Sequence, residues 1–96
     1  MEFELSPHAA NRYAKRVYPV VKHTFVGEFF AKCDRISRLK YNEVTGQWPQ
    51  NNKTYLTRSY NGSIFIIGCK KLHEFKWMVC TILRYDRRNG EWRSNN

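Results

Sequence analysis

Thr54-Tyr-Leu-Thr-Arg-Ser-Tyr60-Asn61-Gly62-Ser63-Ile-Phe-Ile-Ile-Gly-Cys-Lys70 is the stretch from which the fold can be read. Two β-branched and aromatic runs flank Asn61-Gly62, the dipeptide that best tolerates the two positive φ angles of a type I′ turn. The reading is an antiparallel hairpin of residues 54–60 with 63–70. A second turn at about residues 71–74 leads into 75–85, where Trp77-Met-Val-Cys-Thr-Ile-Leu83 has almost no polar alternation. Such a run predicts a strand covered on both faces, near the middle of the sheet. Residues 86–96, rich in Arg, Asn and Gly, read as a frayed basic tail.

Ahead of the hairpin, Glu2-Phe3-Glu4-Leu5 alternates with the period of a short strand. Ser6-Pro7 reads as a helix start, with Ser6 as N-cap and Pro7 preset for the first helical position. That helix is expected to end at Val17 or Tyr18, because Pro19 biases its predecessor away from helical geometry. Ala9, Ala10, Tyr13, Ala14 and Val17 gather on one side of it, and His8, Arg12 and Arg16 climb the other at spacing four. Val21, Phe25, Val26, Phe29, Phe30 and Cys33 recur at three and four and predict a second helix over 20–33, with His23 on it. Residues 34–41 read as an edge strand blunted by charge, and 42–53 as a polar loop around Trp48. The fold class is α+β: a short N-terminal strand, then two helices packed on one face of a three- to four-stranded antiparallel sheet, in one domain over 1–85.

Seventeen Lys and Arg against eight Asp and Glu leave a formal charge of +9. A field of that sign attracts phosphate backbones, so nucleic acid is the expected partner. Six Phe, six Tyr and three Trp are too much apolar material for a disordered polybasic tail. No basic segment followed by an apolar run opens the chain, and no run of about 18 apolar residues occurs, so neither export nor a membrane partner is expected. Cys33, Cys69 and Cys80 are odd in number and contain no Cys-x-x-Cys pair, which fits reduced thiols in a cytoplasmic protein without metal or cofactor.

His8 can exchange a proton near neutral pH, and Arg12 and Arg16 offer forked donors to phosphate. The three span about 12 Å along a helix, so His8 with Arg12 is the tighter pair and Arg16 would reach a neighbouring phosphate. The bland alternative is a helix-end histidine beside solvated arginines. Arg58 and Tyr60 precede the tight turn, while Arg84, Tyr85, Arg87 and Arg88 crowd the end of the last strand. Arg beside Tyr offers charge for a backbone and a face for a base, although half-buried tyrosines commonly just fill a core edge. Lys70 and Lys71 either contact nucleic acid or protect a strand edge, and Trp48 is either a lid over the core or an anchor for another protein.

Leu5-Ser-Pro-His8-Ala9-x-x-Arg12-x-x-x-Arg16, followed by a second helix and a meander ending in Val79-Cys-Thr81-Ile-Leu-Arg-Tyr85, resembles small bacterial and phage domains similar in topology to the RelE-like ribonuclease toxins. The resemblance implies an RNA cleft between sheet and helix, and a cognate antitoxin or host protein as a further partner. Two functions follow. One is a metal-independent ribonuclease with His8, Arg12 and Tyr85 at the reactive phosphate and Arg16, Arg58 and Arg84 in electrostatic support. The other is a regulator or inhibitor that holds nucleic acid, or a nucleic-acid-binding host protein, without turnover.

Overall fold

The computed structural model describes residues 2–22 and 25–95. Its elements follow the order β1 (Glu2–Leu5), α1 (7–21), α2 (Val26–Ala31), β2 (Asp34–Arg35), α3 (Arg38–Thr45), β3 (Thr54–Tyr60), β4 (Ser63–His73), β5 (Lys76–Arg88) and β6 (Glu91–Ser94). The fold is α+β, as expected, but among the described residues the sheet has six strands in the order β1-β5-β4-β3-β2, with β6 also on β5. It is mixed rather than antiparallel, because β1 runs parallel to β5, Glu2 opposite Lys76 and Leu5 opposite Val79. Parallel neighbours need a long crossover, and here residues 6–75 separate them.

The Asn61-Gly62 hairpin forms in the expected register, Thr54 opposite Cys69 and Tyr60 opposite Ser63. Asn61 and Gly62 take φ of 49° and 80°, the two positive angles that the turn requires. The strand buried on both faces is β4, continuously from Ser63 to Cys69, with β5 beside it. The pleat sends Phe65, Ile67 and Cys69 to one face and Ile64 and Ile66 to the other. Each face needs its own cover, so the expectation of helices on a single face is corrected. On the first face lie Ala9, Tyr13, Val17 and Val21 of α1 with Phe29 and Phe30 of α2. On the second lie Tyr41 and Val44 of α3, with Trp92 of β6 packed alongside.

Helix α1 begins as read, with Ser6 Oγ accepting the Ala9 amide at 3.1 Å and Pro7 in the first turn. It then runs past Pro19 to Val21 instead of stopping at Val17 or Tyr18, through a π-helical turn at Tyr13–Val17 in which the Tyr18 amide donates to the Tyr13 carbonyl. Widening the helix before a proline relieves the clash of its ring with the carbonyl four residues back. The same turn explains the burial pattern. In an α-helix every fourth residue drifts about 40° around the axis, so Ala9, Tyr13, Val17 and Val21 would fan over about 120°. The wider turn slows the drift and all four are buried, whereas Ala10 and Ala14 are exposed.

Three further expectations are corrected. The second helix is α2 alone, since Val21 belongs to α1; Thr24 and His23 lie outside the described residues. Residues 34–41 are not one edge strand: only Asp34 and Arg35 pair with β3, and Ser37 then caps α3 by accepting the Lys40 amide at 3.1 Å. Past Tyr85, where a tail was expected, β5 continues to Arg88, turns at Asn89-Gly90 with Asn89 at φ 52°, and returns as β6.

Gly68 marks the tightest approach across the sheet. A Cβ there would stand 2.8 Å from Thr81 Cγ2 and 3.2 Å from Tyr55 Cε1, beside the register shift between Gly68 and Cys69. Gly68→Ala is therefore expected to destabilise the domain by about 1–3 kcal/mol, the usual result of overpacking a tight core. Urea titration followed by circular dichroism measures it, and an unchanged midpoint would contradict the packing described.

Candidate nucleic-acid interface

Strand β5 has a notch in its outer edge. The Ser6 amide donates to the Val79 carbonyl where β1 ends, and the Asn95 amide donates to the Arg84 carbonyl where β6 ends. Between these points no strand pairs with that edge among the described residues. Arg16 fills the gap: its Nη1 donates to the Ile82 carbonyl at 2.6 Å. Burial lowers the Arg16 pKa, Arg12 nearby lowers it further, and Tyr85 works in the opposite sense. Burial likewise raises the Tyr85 hydroxyl, with Arg16 opposing. Arg16 thus occupies the notch with Arg12 and Tyr85 both close enough to act on its charge, and Arg12 Nε is buried without a hydrogen-bond partner.

His8 is exposed in the first turn of α1. Tyr85 packs into the cluster of Tyr41, Tyr55 and Ile64 on the other face of the sheet. The sheet edge therefore stands between His8 and Tyr85, two of the residues expected at one reactive phosphate.

Arg58 and Arg84 flank Phe65, since β3 and β5 place them opposite it in one row of the first face. Both are engaged internally. Arg58 Nη1 donates to the Phe29 carbonyl near the end of α2 at 3.1 Å, and its guanidinium lies 4.8 Å from the Phe29 ring centroid and 5.5 Å from that of Tyr60. Arg84 Nε donates to Asp86 Oδ1 at 3.2 Å and to Ser63 Oγ at 3.3 Å. Ser63, the one buried polar residue of the β4 run, donates its hydroxyl to the same carboxylate at 2.6 Å, and Asn95 Nδ2 donates to Asp86 Oδ2. Burial on its own would raise the Asp86 carboxyl; the hydrogen bonds from Ser63 and Asn95 and the Arg84 charge outweigh it and hold the group below its ordinary value.

The remaining residues scatter. Lys70 and Lys71 are exposed where the β4–β5 hairpin outruns β3. Arg88 is exposed beside the last turn, and Arg87 lies over the Trp92 ring at 5.2 Å. Trp48 is exposed in the segment after α3, with the Arg38 guanidinium 5.9 Å from its centroid. Cys33 and Cys69 are pushed up to about 12, mainly by burial, so their thiols are poor nucleophiles at neutral pH. Among the described residues no three His, Cys, Asp or Glu side chains gather as a metal site, and no helix is long and apolar enough to cross a membrane.

Two grooves lie beside α3, and neither is lined by His8, Arg12, Arg58 or Arg84. One, of about 520 Å³, is bordered by Arg35, Arg38 and Lys53. The other, of about 620 Å³, has Lys40 and Arg87 balanced by Glu43 and Glu91. The sequence reading passed over Arg35, Arg38 and Lys53 because it put them on an edge strand and at the end of a loop. The capping pattern of Ser37 before the helix and Gly46 after it was the signal that could have found them. No protein-family model matches the chain, and no curated protein or solved structure matches it significantly.

Two outcomes follow from this geometry. Arg16→Met keeps the stem and removes the donor, which leaves the Ile82 carbonyl unpaired; a loss of about 1–3 kcal/mol is expected in denaturant titration. For Asp86 the folded pKa is depressed, so its stabilisation is present above the unfolded value of about 3.9 and is lost as pH falls through the folded value. The stability gap between wild type and Asp86→Asn, measured by thermal unfolding from neutral pH downward, is expected to shrink below about pH 4.

Proposed function

We propose that this protein is a basic RNA-binding domain that holds its ligand without cutting it. The supporting observation is how its cations are distributed. Among the described residues only Lys40, Lys76, Arg84 and Arg93 are in ion pairs, so most of the positive charge faces solvent unopposed. Of the arginines in the cleavage scheme, the supporting Arg16, Arg58 and Arg84 each direct donors to protein acceptors, while Arg12 does not among the described residues. Each of those bonds fixes the side chain and takes up part of its donor set, whereas the exposed cations without such a bond keep all of theirs for a phosphate.

A toxin-like ribonuclease, the activity implied by the RelE-like resemblance, is the second reading. It is favoured by the nearness of Arg12 and Tyr85 to Arg16 at the notch, and by Arg12 Nε, which lacks a partner. That reading requires His8, as base, and Tyr85, as acid, to reach one phosphate across the sheet edge that stands between them.

The two are separated by fluorescence anisotropy and gel analysis of the same labelled RNA. Single-strand binding that neutralises three phosphates has a logarithmic salt slope of about −2, so the affinity is expected to fall about twentyfold between about 50 and about 200 mM salt. The RNA is expected to stay intact. Cleavage abolished by His8→Ala and Arg12→Ala would replace the first reading with the second, and salt-insensitive or absent binding would remove both.

A further inference from the structure

The groove at the start of α3 is bordered by charge of one sign, unlike the second groove beside that helix. Arg35, Arg38 and Lys53 border it, and no carboxylate lines it; Asp34, the chain neighbour of Arg35, is outside its wall. None of the three cations is in an ion pair among the described residues, and their only side-chain hydrogen bond is Arg38 Nη1 to Asn51 Oδ1 at 3.4 Å. Like charges around one concavity repel one another and focus a positive potential into it, which an anion relieves. The second groove, with its glutamates, has no such imbalance. A volume of about 520 Å³ falls within the range of about 300–1,000 Å³ found for small-ligand sites, enough for a nucleotide.

Trp48 sets the kind of strand. It is 56% exposed, it precedes Pro49 of the groove wall, and Arg38 links the two by lying over its ring while bordering the groove. An exposed indole beside cations suits a base stacked on the ring with its phosphate on the guanidinium. In a duplex both faces of a base are already stacked, so only an unpaired base can be received.

We propose that this groove binds a single-stranded segment of RNA, with Arg35, Arg38 and Lys53 on its phosphodiester oxygens and Trp48 stacked on an unpaired base. The proposal rests on the RNA-binding reading and adds a place and a strand type to it. Ser37 and Asn51, at the wall, offer acceptors for a 2′-hydroxyl, which favours RNA over DNA of the same sequence.

The test uses a labelled, mixed-sequence single-stranded RNA of about 12 nucleotides, within the usual site sizes for such proteins, and the same sequence as a duplex and as DNA. The full chain is compared with Arg35→Gln/Arg38→Gln/Lys53→Gln, with Trp48→Ala, and with Lys15→Gln/Lys22→Gln/Lys32→Gln, which loses equal charge from exposed positions on α1 and at the C-terminal ends of α1 and α2. Circular dichroism and urea midpoints establish that each variant is folded.

The groove variant is expected to lose at least tenfold in affinity and about 2 of the logarithmic salt slope. Trp48→Ala is expected to lose about tenfold with the slope unchanged, and the α1–α2 variant to lose far less than the groove variant. Equal losses in the two triple variants would overturn the groove while leaving a general basic binder. Duplex bound as tightly as single strand, or Trp48→Ala without effect, would overturn the stacking. DNA bound as tightly as RNA would overturn the 2′-hydroxyl preference. Absence of salt-dependent binding by the native chain would instead overturn the RNA-binding reading beneath it.

Discussion

The burial of β4 on both faces is the constraint from which the other features follow. Ser63–Cys69 supplies seven consecutive buried residues, and a pleated strand shows alternate side chains to opposite sides, so neither side can be left to water. Phe65 and Ile67 call for the aromatic and aliphatic stripe of α1 and α2, where Phe29 meets Phe65 edge to face at 5.5 Å. Ile64 and Ile66 call for α3, where Tyr41 meets Tyr55 at 4.7 Å. Glycine at position 68 makes room on that face for its strand neighbours, because the Tyr55 ring and the Thr81 methyl lie where a side chain would otherwise stand.

Covering both faces with short elements leaves gaps at the sheet edges, and the basic residues divide according to which gaps they meet. The outer edge of β5 is shared by β1 and β6 with an unpaired stretch between them, and a carbonyl stranded there would lack a partner. Arg16 meets that need from α1, which makes it part of the sheet's hydrogen bonding. Arg58 does the same for the last turn of α2. Arg84, Ser63, Asp86 and Asn95 form a closed set around the one buried polar side chain of the β4 run. A charge of +9 in the composition therefore overstates how much is offered to a partner at these positions.

Legibility followed the range of the interactions concerned. Asn61-Gly62 and Ser6-Pro7 act within a few residues, and the hairpin and the helix start are where the chain says they are. The course of α1 past Pro19 was not legible, because the π-helical turn that carries it is held by the packing of Val17 and Val21 on β4 and β5, a tertiary effect. Helix α3 was half legible: Ser37 and Gly46 mark its ends, but only Tyr41 and Val44 are buried along it and Leu39 is 70% exposed, so its apolar period is too thin to outweigh the look of a charged edge strand. Asn89-Gly90 carried the same turn signal as the first hairpin and was masked by the surrounding Arg and Asn. The positions of the arginines were legible, but their partners were not. Carbonyls of Phe29 and Ile82 are invisible to any argument from side-chain type.

Three of the unpaired cations gather at the start of α3 for a reason that the backbone supplies. Gly46 takes φ 74° and its amide donates to the Asn42 carbonyl, a left-handed cap that reverses the chain at the end of the helix. The segment that follows returns along the helix toward its beginning, since β3 must start beside β2, and it brings Asn51 and Lys53 to Arg38. The outer edge of β2 and the first turn of α3 end at the same place. Three cations separated by up to 18 positions in the chain therefore border one groove, and the local partners that absorb Arg16, Arg58 and Arg84 have no counterpart there. The fold engages its arginines where carbonyls and the half-buried Asp86 carboxylate need donors, and it leaves cations open where a short helix fails to cover the edge of the sheet.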